Sequence, residues 1–499
     1  MDAQAQLLAP ALLLPATAVF PALLGVVALV LGRRAVPLVP LLAVTVIGLA
    51  VAHLTAIVWQ HSEVTVALGG WQAPLGIALR LDGLATAFLL MTGTVASGIA
   101  IYALVEYRHP AGGESRAAYG FWPLMMFLWA GLNTIFLSRD LFNLYVALEI
   151  TSLSGIAMVG LNGEAAALVA QMRYLLFATL GSLFYLMGVA FLYAETGALD
   201  LAVIAGRLQV GPSASTAVVL TTLGLLLKTA IWPLHFWLPP AHARAPTPVS
   251  ALLSGLVVKG SLYLLIRLWF ELYAPVLDQV AWMVPGALGG VAVLWGSALA
   301  LRQERLKLML AYSTTAQLGY MLFAFPLAVA GPVEATQAWT GMVVLILAHG
   351  IAKAAMFLAA GAIVAVLGSD ETVALAGATR LVPVPLFALA LAGLSMMGLP
   401  PSGGFLGKWL MLRAAIGAGQ WWLVAILVVG GLMAAAYLFR FLVPAFLPAS
   451  EGKPDRPAAT GLMGGAAIAL ALISILLGFV ASPLNRLIAP AMPAGLGAG

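Results

Sequence analysis

The sequence predicts an all-α polytopic membrane protein with about fourteen transmembrane helices. Of its 499 residues, 63% are hydrophobic and only 8% are charged, whereas a soluble protein carries about 25% charged residues. Apolar stretches of about 20 residues, the length that crosses a bilayer as a helix, follow one another along nearly the whole chain. Because so few charges could not cover the surfaces of several soluble domains, soluble fold classes are excluded.

The predicted spans are joined by short connections, so we expect no soluble domain. They cover residues 7–31, 36–59, 82–105, 119–138, 141–161, 168–194, 214–238, 247–270, 279–301, 307–330, 338–367, 382–402, 421–447 and 460–484. The first lacks the basic start and clear cleavage site of a signal peptide, so we expect a retained helix. Only residues 199–207 and 451–457 are long or polar enough to be more than turns, and the first of these could form a short interfacial helix.

Basic residues predict the orientation, because Lys and Arg near span ends are retained on the cytoplasmic side. The loops after odd-numbered spans hold most of them: Arg33, Arg34, Arg108, Arg116, Arg173, Arg244, Arg302, Arg305, Lys307, Arg380, Arg440, Lys453 and Arg456. The opposite side holds Arg80, Arg139, Arg207, Arg267, Arg413 and Arg486. We therefore expect a multi-pass protein of the cell membrane with both termini on the outer side.

Several function classes are excluded by composition and motif. The chain contains no Cys, which rules out iron–sulfur clusters and Cys-ligated zinc, so any redox cofactor would belong to a partner. No spacing matches a metal site, and no glycine-rich loop precedes a Lys-Ser or Lys-Thr pair, which argues against an ATP-driven pump. The net charge of +5 includes no basic run that could follow a nucleic acid. We expect no cofactor and no metal in this chain.

Four of the six lysines lie inside apolar spans: Lys228, Lys259, Lys353 and Lys408. Each costs about 2.5–3.5 kcal/mol near the centre of a membrane helix. Burial favours the neutral form of a lysine, whereas an arginine stays charged. These four side chains are therefore candidates for groups that lose and regain a proton.

One carboxylate and one imidazole join the lysines at membrane depth. Tyr145, Glu149 and Ser152 are spaced i, i+4, i+7 and share a helix face, and an intramembrane carboxylate is protonated or paired with a cation. His349 lies four residues before Lys353 on one face, and histidine exchanges protons near neutral pH. A purely structural role in helix packing is the alternative for each of these groups.

Two spans carry helix breakers close to these lysines. The breakers are Pro233 and Pro239 after Lys228, and Pro400, Pro401, Gly403 and Gly404 before Lys408. Broken helices beside ionisable residues are typical of transporters. His235 lies in the first break, where it could exchange protons or simply pack beside Trp232 or cap a helix.

A third polar stripe comprises Ser313, Gln317 and Tyr320, again spaced i, i+4, i+7. This stripe could carry water between charged sites. Ordinary hydrogen bonding between helices is an equally good interpretation of it.

Several motifs of the sequence resemble the antiporter-like membrane proteins. They are the run from Asp140 to Glu149, the run Leu-Lys228-Thr-Ala-Ile-Trp-Pro-Leu-His235-Phe-Trp-Leu-Pro, the segment Ala-Pro-Thr-Pro-Val-Ser250, Ala-Tyr-Ser313, and Gly-Phe-Leu-Gly-Lys408. The family comprises the proton-channel subunits of complex I, related subunits of membrane-bound hydrogenases and the large subunits of Mrp-type antiporters. The chain looks most like the Mrp D subunit, because of the run Asp-Leu-Phe-Asn-Leu-Tyr and because Gln317 stands where complex I relatives often carry His.

The resemblance implies two inverted five-helix repeats, each with one broken helix. The corresponding divisions are residues 1–106, a first repeat at 119–270, a second repeat at 276–447, and a final helix and tail at 460–499. Aligning Leu238-Pro-Pro with Leu399-Pro-Pro puts the nearby lysines on opposite sides of the break, so the residues do not themselves demonstrate the repeat.

The resemblance also implies roles for the buried groups. Glu149 and Lys228 would form the ion pair of the first half-channel, Lys259 would connect the halves, His349 and Lys353 would relay protons in the middle, and Lys408 would be the terminal lysine. The chain lacks the long lateral helix of one complex I subunit and the extra domains of the Mrp A subunit, which disfavours both identities.

The expected function is that of a proton-translocating subunit in a multisubunit Mrp-type antiporter, exchanging protons for a monovalent cation such as Na+. The protein would be a transporter subunit rather than an enzyme, with other hydrophobic subunits as its partners. The alternatives are a membrane subunit of a complex I-like or hydrogenase-linked redox complex, and a module that energises an inorganic-carbon uptake partner.

Overall fold

The computed structural model describes residues 3–35, 38–107, 116–448 and 461–493. Within these ranges, eleven helices are long and apolar enough to cross a membrane. They are Pro10–Leu31, Leu38–His61, Gly83–Glu106, Arg116–Leu137, Leu141–Val159, Ala165–Thr196, Thr247–Val276, Gln279–Leu301, Pro332–Leu367, Trp421–Phe446 and Gly461–Phe479. The shorter helices include Leu201–Ala205, Pro212–Thr229, Leu238–Arg244, Leu306–Met321, Ala324–Leu327, Ala378–Leu381, Pro383–Met397, Gly403–Gly417 and Ala481–Ile488. The prediction of a helical multi-pass membrane protein is confirmed.

Three predicted spans fall on shorter helices. The span predicted at 214–238 ends as a helix at Thr229, and the one at 382–402 ends at Met397. The span at 307–330 is divided between Leu306–Met321 and a single turn that follows it. The total of fourteen spans and the inverted repeats therefore remain predictions. The segment 451–457 lies outside the described residues.

A two-stranded antiparallel ribbon corrects the expectation that the connection between the second and third spans is a turn. Glu63–Ala67 pairs with Ala78–Asp82, in a register that places Glu63 opposite Asp82. Both segments alternate polar and apolar residues, which favours strands. The expected short helix within 199–207 is present as Leu201–Ala205.

A buried charge cluster ties this ribbon to the middle of the chain. Arg267 is only 3% exposed, although the sequence suggested a residue at the end of a span. Its guanidinium donates to Asp82 at 2.6 Å and to Glu271, which also accepts from Arg80 at 2.6 Å. Asp82 caps the following helix by accepting from the Ala85 amide. Burial alone would raise the pKa of Asp82, but the charges of Arg267 and Arg80, together with hydrogen bonds from Arg267 and the Ala85 amide, outweigh burial and lower this pKa.

Four helices position the polar residues inside the protein. We call Leu141–Val159 the Glu149 helix, Ala165–Thr196 the Ser182 helix, Pro212–Thr229 the Lys228 helix, and Pro332–Leu367 the central helix. The middle of the central helix is buried on all sides, which places His349 and Lys353 in the core. Because this helix packs against the helices of Lys408 and Lys259, residues far apart in sequence meet around it.

Two glycines allow the Ser182 and Lys228 helices to touch through their backbones. A Cβ atom at Gly224 would lie 2.4 Å from the carbonyl oxygen of Gly181, and one at Gly181 would lie 3.2 Å from Cγ of Lys228. A Cβ atom does not come as close as 2.4 Å to a non-bonded oxygen, so a residue larger than glycine at position 224 would force the two helices apart. The close approach brings the side chain of Lys228 onto the Ser182 and Glu149 helices.

Candidate functional site

The first titratable pair is Glu149 with Lys228. The Lys228 ammonium lies 3.1 Å from Oε1 of Glu149 and donates to Ser152 Oγ at 2.8 Å. The Ser182 hydroxyl also donates to Oε1 of Glu149. Lys228 is 5% exposed, whereas the Glu149 side chain is 22% exposed. The structure therefore places Glu149 and Ser152 around Lys228, while Tyr145 packs against a neighbouring aromatic ring.

The break after Lys228 places this residue in the last turn of its helix. The helix ends at Thr229, and Ala230 adopts a left-handed conformation with φ of 58°. The C-terminal end of a helix carries a partial negative charge that favours a cation in the last turn. His235 is buried in the break and stacks on Phe236 at 5.2 Å between ring centroids.

Lys259 is fully buried and donates to the backbone carbonyl of Ser254. Ser254 belongs to a π-helical turn, Leu253–Val257, inside the long helix. Such turns disturb the regular hydrogen-bond ladder and are frequent at functional sites. The Ser254 hydroxyl in turn lies 2.8 Å from that of Thr314, which connects the Lys259 helix to the helix of Ser313.

Lys353 is also fully buried and is held by the helix Leu306–Met321, which carries Ser313. Its ammonium donates to the Leu310 carbonyl at 2.9 Å and to Ser313 Oγ at 2.5 Å. His349 lies one turn earlier, fully buried, and neither of its ring nitrogens has a hydrogen-bond partner among the described residues. The charges of Lys259 and Lys353 act on this imidazole, so the three groups form one electrostatic cluster.

Lys408 reaches back across the second break. Its ammonium donates to the carbonyls of Met396 and Met397, at 2.8 and 3.4 Å, which are the last residues of the preceding half-helix. It also lies 4.4 Å from the centre of the Tyr320 ring, a favourable position for a cation. Gln317 donates to the same Met396 carbonyl at 3.1 Å.

The two breaks place their lysines differently. Lys228 lies in the last turn of the half-helix before its break, and its ammonium bonds to Glu149 and Ser152 of another helix. Lys408, in contrast, lies after its break, and its ammonium reaches back to the last carbonyls of the preceding half-helix. The opposite placement in the sequence was the objection to equating the two halves. The equivalence of the two halves therefore remains a prediction implied by the family resemblance.

We call Glu149, Lys228, Lys259, His349, Lys353 and Lys408 the row. The balance of positive and negative charges in it decides what the row can do chemically. Within the described part of the chain, Lys228 is the one lysine of the row that forms an ion pair, whereas Lys259, Lys353 and Lys408 are held by hydroxyl and carbonyl oxygens. Burying several uncompensated positive charges is costly, so the row favours few bound protons at a time. The described residues contain no group of side chains that could hold a metal ion.

The sequence analysis missed the hydroxyl ligands Ser182, Ser254 and Thr314, and the imidazole of His242. Serine and threonine in apolar helices commonly bond to their own backbone, so their presence alone signals no site. His242 was missed because it lies in a short connecting helix, Leu238–Arg244, outside the predicted spans. It is fully buried in the structure.

Comparison with known proteins agrees with this architecture. Residues 138–434, more than half of the chain, match the family described as NADH:quinone oxidoreductase/Mrp antiporter, TM. The chain is 35% identical over 408 residues to the N subunit of NADH-quinone oxidoreductase from Desulforudis audaxviator, with 79% of this chain and 78% of the relative covered. It is 28% identical over 440 residues to the D subunit of the Na+/H+ antiporter from Alkalihalophilus pseudofirmus, with 87% and 86% covered.

Solved structures show the same fold. A chain of the Mrp complex from Dietzia sp. DQ12-45-1b superposes with a TM-score of 0.85 at 24% identity, covering 96% of this chain and 97% of that chain. A chain of the archaeal membrane-bound sulfane sulfur reductase gives 0.85 at 26% identity, covering 97% of each. Respiratory complex I from Thermus thermophilus gives 0.72 at 26% identity, covering 96% of this chain and 100% of that chain. The protein therefore belongs to the transmembrane subunit family shared by NADH:quinone oxidoreductase and the Mrp antiporter.

Proposed function

We propose that this protein is a proton-translocating subunit of a multisubunit membrane complex. Protons pass along a row of six side chains: Glu149, Lys228, Lys259, His349, Lys353 and Lys408. The observation that carries the proposal is that, of the four buried lysines, only Lys228 has a carboxylate partner in the described residues. A structural network would pair its charges, whereas a conduction path needs sites that bind a proton weakly enough to release it.

The first step depends on the Glu149–Lys228 pair. While the two groups lie 3.1 Å apart, the carboxylate stabilises the protonated lysine. When they separate, Lys228 loses that stabilisation and releases its proton toward Lys259. Ser152 and Ser182 supply oxygen atoms that hold the separated groups in turn. Tyr145 and His235 lie near this end and support its hydration.

The proton then continues through the cluster around the central helix. Lys259 and Lys353 repel one another when both are charged, so protonation of one favours release from the other. Ser313 orients Lys353, and His349 offers an imidazole one turn away. Gln317 and Lys408 converge on the Met396 carbonyl at the far end. These groups titrate as a coupled set rather than as independent sites.

Substitution of Lys353 tests the pathway in vesicles from cells that produce the whole complex. Lys353→Met removes the exchangeable proton, and Lys353→Arg retains a charge that does not leave. We expect both to lower the rate of proton movement by about tenfold or more. The exposed Arg302 provides the control Arg302→Met, which should behave as wild type. Full activity of an assembled Lys353→Met complex would refute the proposed path.

The complex we favour is an Mrp-type antiporter that exchanges protons for a monovalent cation such as Na+. Support comes from the 87% of this chain that aligns with the D subunit of a Na+/H+ antiporter. The run Asp-Leu-Phe-Asn-Leu-Tyr that begins at Asp140 resembles that subunit as well. The protein would work beside other hydrophobic subunits and would itself catalyse no chemical reaction.

A redox-driven complex is the second candidate, because 35% identity links the chain to the N subunit of NADH-quinone oxidoreductase. The antiporter and the redox-driven complex can be distinguished by adding Na+ to vesicles that hold a pH gradient. Dissipation of the gradient by Na+ alone indicates an antiporter. Proton uptake that requires an electron donor, together with iron-containing subunits that co-purify, indicates a redox complex.

A further inference from the structure

One buried titratable group takes no part in the row described above. His242 is fully buried, and neither of its ring nitrogens has a hydrogen-bond partner within the described segments. A buried imidazole with both nitrogens unsatisfied is costly, and such a group in a native structure requires an explanation. The charges of Lys353, Lys259 and Lys307 all act on it.

The central helix connects His242 to the row by direct packing. The imidazole stacks on the Phe357 ring, at 4.6 Å between centroids and 15° between planes. Phe357 lies one helical turn after Lys353, which lies one turn after His349. The three residues therefore share one face of the helix, and this face leads from the midpoint of the row toward His242.

Further along the central helix, the same face packs against the C-terminal end of the helix Gly83–Glu106. One turn after Phe357, a Cβ atom at Gly361 would lie 2.1 Å from Cγ2 of Thr247 and 2.5 Å from the Tyr102 hydroxyl oxygen. From Lys353 to Gly361 is a rise of about 12 Å along the helix. The face therefore extends from the buried lysines to the residues beside the exposed Glu106.

A pair of opposite charges marks this end of the path. Glu106 is exposed, and the charges of Glu106 and Lys307 act on each other. The Lys307 ammonium also lies 3.5 Å from the carbonyl of Ala245, the residue that follows the short helix of His242. A titratable carboxylate at the surface and an unsatisfied imidazole inside thus flank the same short connection.

We propose that His242 relays protons between the exposed Glu106, with the half-buried Lys307 that acts on it, and the buried lysines Lys353 and Lys259. The row then exchanges protons with one side of the membrane at its midpoint as well as along its length. In each transfer one ring nitrogen accepts a proton and the other releases one, so the imidazole returns to its neutral form. This inference rests on the proposed proton path and adds a residue to it.

The test measures proton movement in vesicles that contain the assembled complex. His242→Phe keeps an aromatic ring against Phe357, and His242→Gln keeps polarity, but neither side chain can exchange a proton as imidazole does. We expect both to reduce the rate about tenfold or more, with unchanged subunit content. His61→Phe makes the same replacement at an exposed position and should leave the rate unchanged. An assembled His242 variant with the wild-type rate would overturn the relay.

Chemical rescue separates a relay from a packing role. In His242→Ala, added imidazole should restore proton movement, whereas pyrazole, which has the same shape but is a much weaker base, should not. Equal effects of the two compounds, including no effect of either, would overturn the relay. If Lys353→Met is inactive while the His242 variants are active, only the relay fails, whereas an active Lys353→Met refutes the pathway itself.

Discussion

Replacing Glu149 by glutamine removes the charge of one ion pair at nearly constant volume. At 3.1 Å, the attraction between Glu149 and a protonated Lys228 is about 5 kcal/mol for an effective dielectric constant of ~20. Loss of one partner from a buried pair is measured at about 3–5 kcal/mol. Because each 1.36 kcal/mol is about a factor of ten, the balance should shift about 10²–10⁴-fold toward neutral Lys228.

We therefore expect Glu149→Gln to lower proton movement by about tenfold or more, since Lys228 no longer retains a proton at this end of the row. The assay is fluorescence quenching by a pH-sensitive dye in everted vesicles, with subunit content checked in the same membranes. Glu164→Gln makes the same change at an exposed position and should have no effect. The reasoning would be refuted if the assembled Glu149→Gln complex transported protons at the wild-type rate.

Three further changes test separate parts of the structure. Lys408→Met removes a buried charge held by backbone carbonyls, so we expect proton movement to stop and the melting temperature of the purified complex to rise; a lower melting temperature would contradict this. Asp82→Asn keeps a helix cap but removes the charge facing Arg267, and should lower the free energy of unfolding by about 3–5 kcal/mol. Because the pKa of Asp82 is lowered in the folded protein, its contribution is full above the ordinary value of 3.8 and is lost as the pH falls through the folded value; melting temperatures of variant and wild type should therefore converge in acid and differ at pH 7. Gly224→Ala should reduce assembly and proton movement because it separates two touching helices, whereas Gly93→Ala, at an open position, should change neither.

The spans and the buried charges could be predicted from the sequence because each depends on local properties of the chain. An apolar stretch of about 20 residues is a membrane helix wherever it packs, and a lysine inside it is unusual whatever surrounds it. The breaks after Lys228 and before Lys408 were equally local, since proline and glycine interrupt a helix by their own geometry.

Apart from the Glu149–Lys228 ion pair, which the family resemblance implied, the partners of those charges could not be predicted, because they come from other helices. Ser182 is 33 residues from Glu149, and Met396 is 79 residues from Gln317. Such contacts depend on how far each helix is rotated and how closely it packs. The sequence records those quantities only indirectly, in small residues such as Gly224.

Two further features show where local reasoning was insufficient. Arg267 was assigned to a span end from its position in the chain, but Asp82 reaches it from 185 residues away and buries it in an ion pair. His242 lies in a connection that local composition marks as a turn, yet it is fully buried in the folded chain, with Phe357 of the central helix stacked on its ring.

Sequence alone was therefore enough to establish that the chain is a membrane protein, where its helices break, and which ionisable groups lie at depth. Folding decided which oxygen atoms hold Lys259, Lys353 and Lys408, and it brought Ser152 and Ser182 to the Glu149–Lys228 pair. It also brought the Lys408 ammonium to the last carbonyls of the half-helix before its break. The physical reason is that hydropathy is a property of a single segment, whereas the stability of a buried charge depends on every segment that surrounds it.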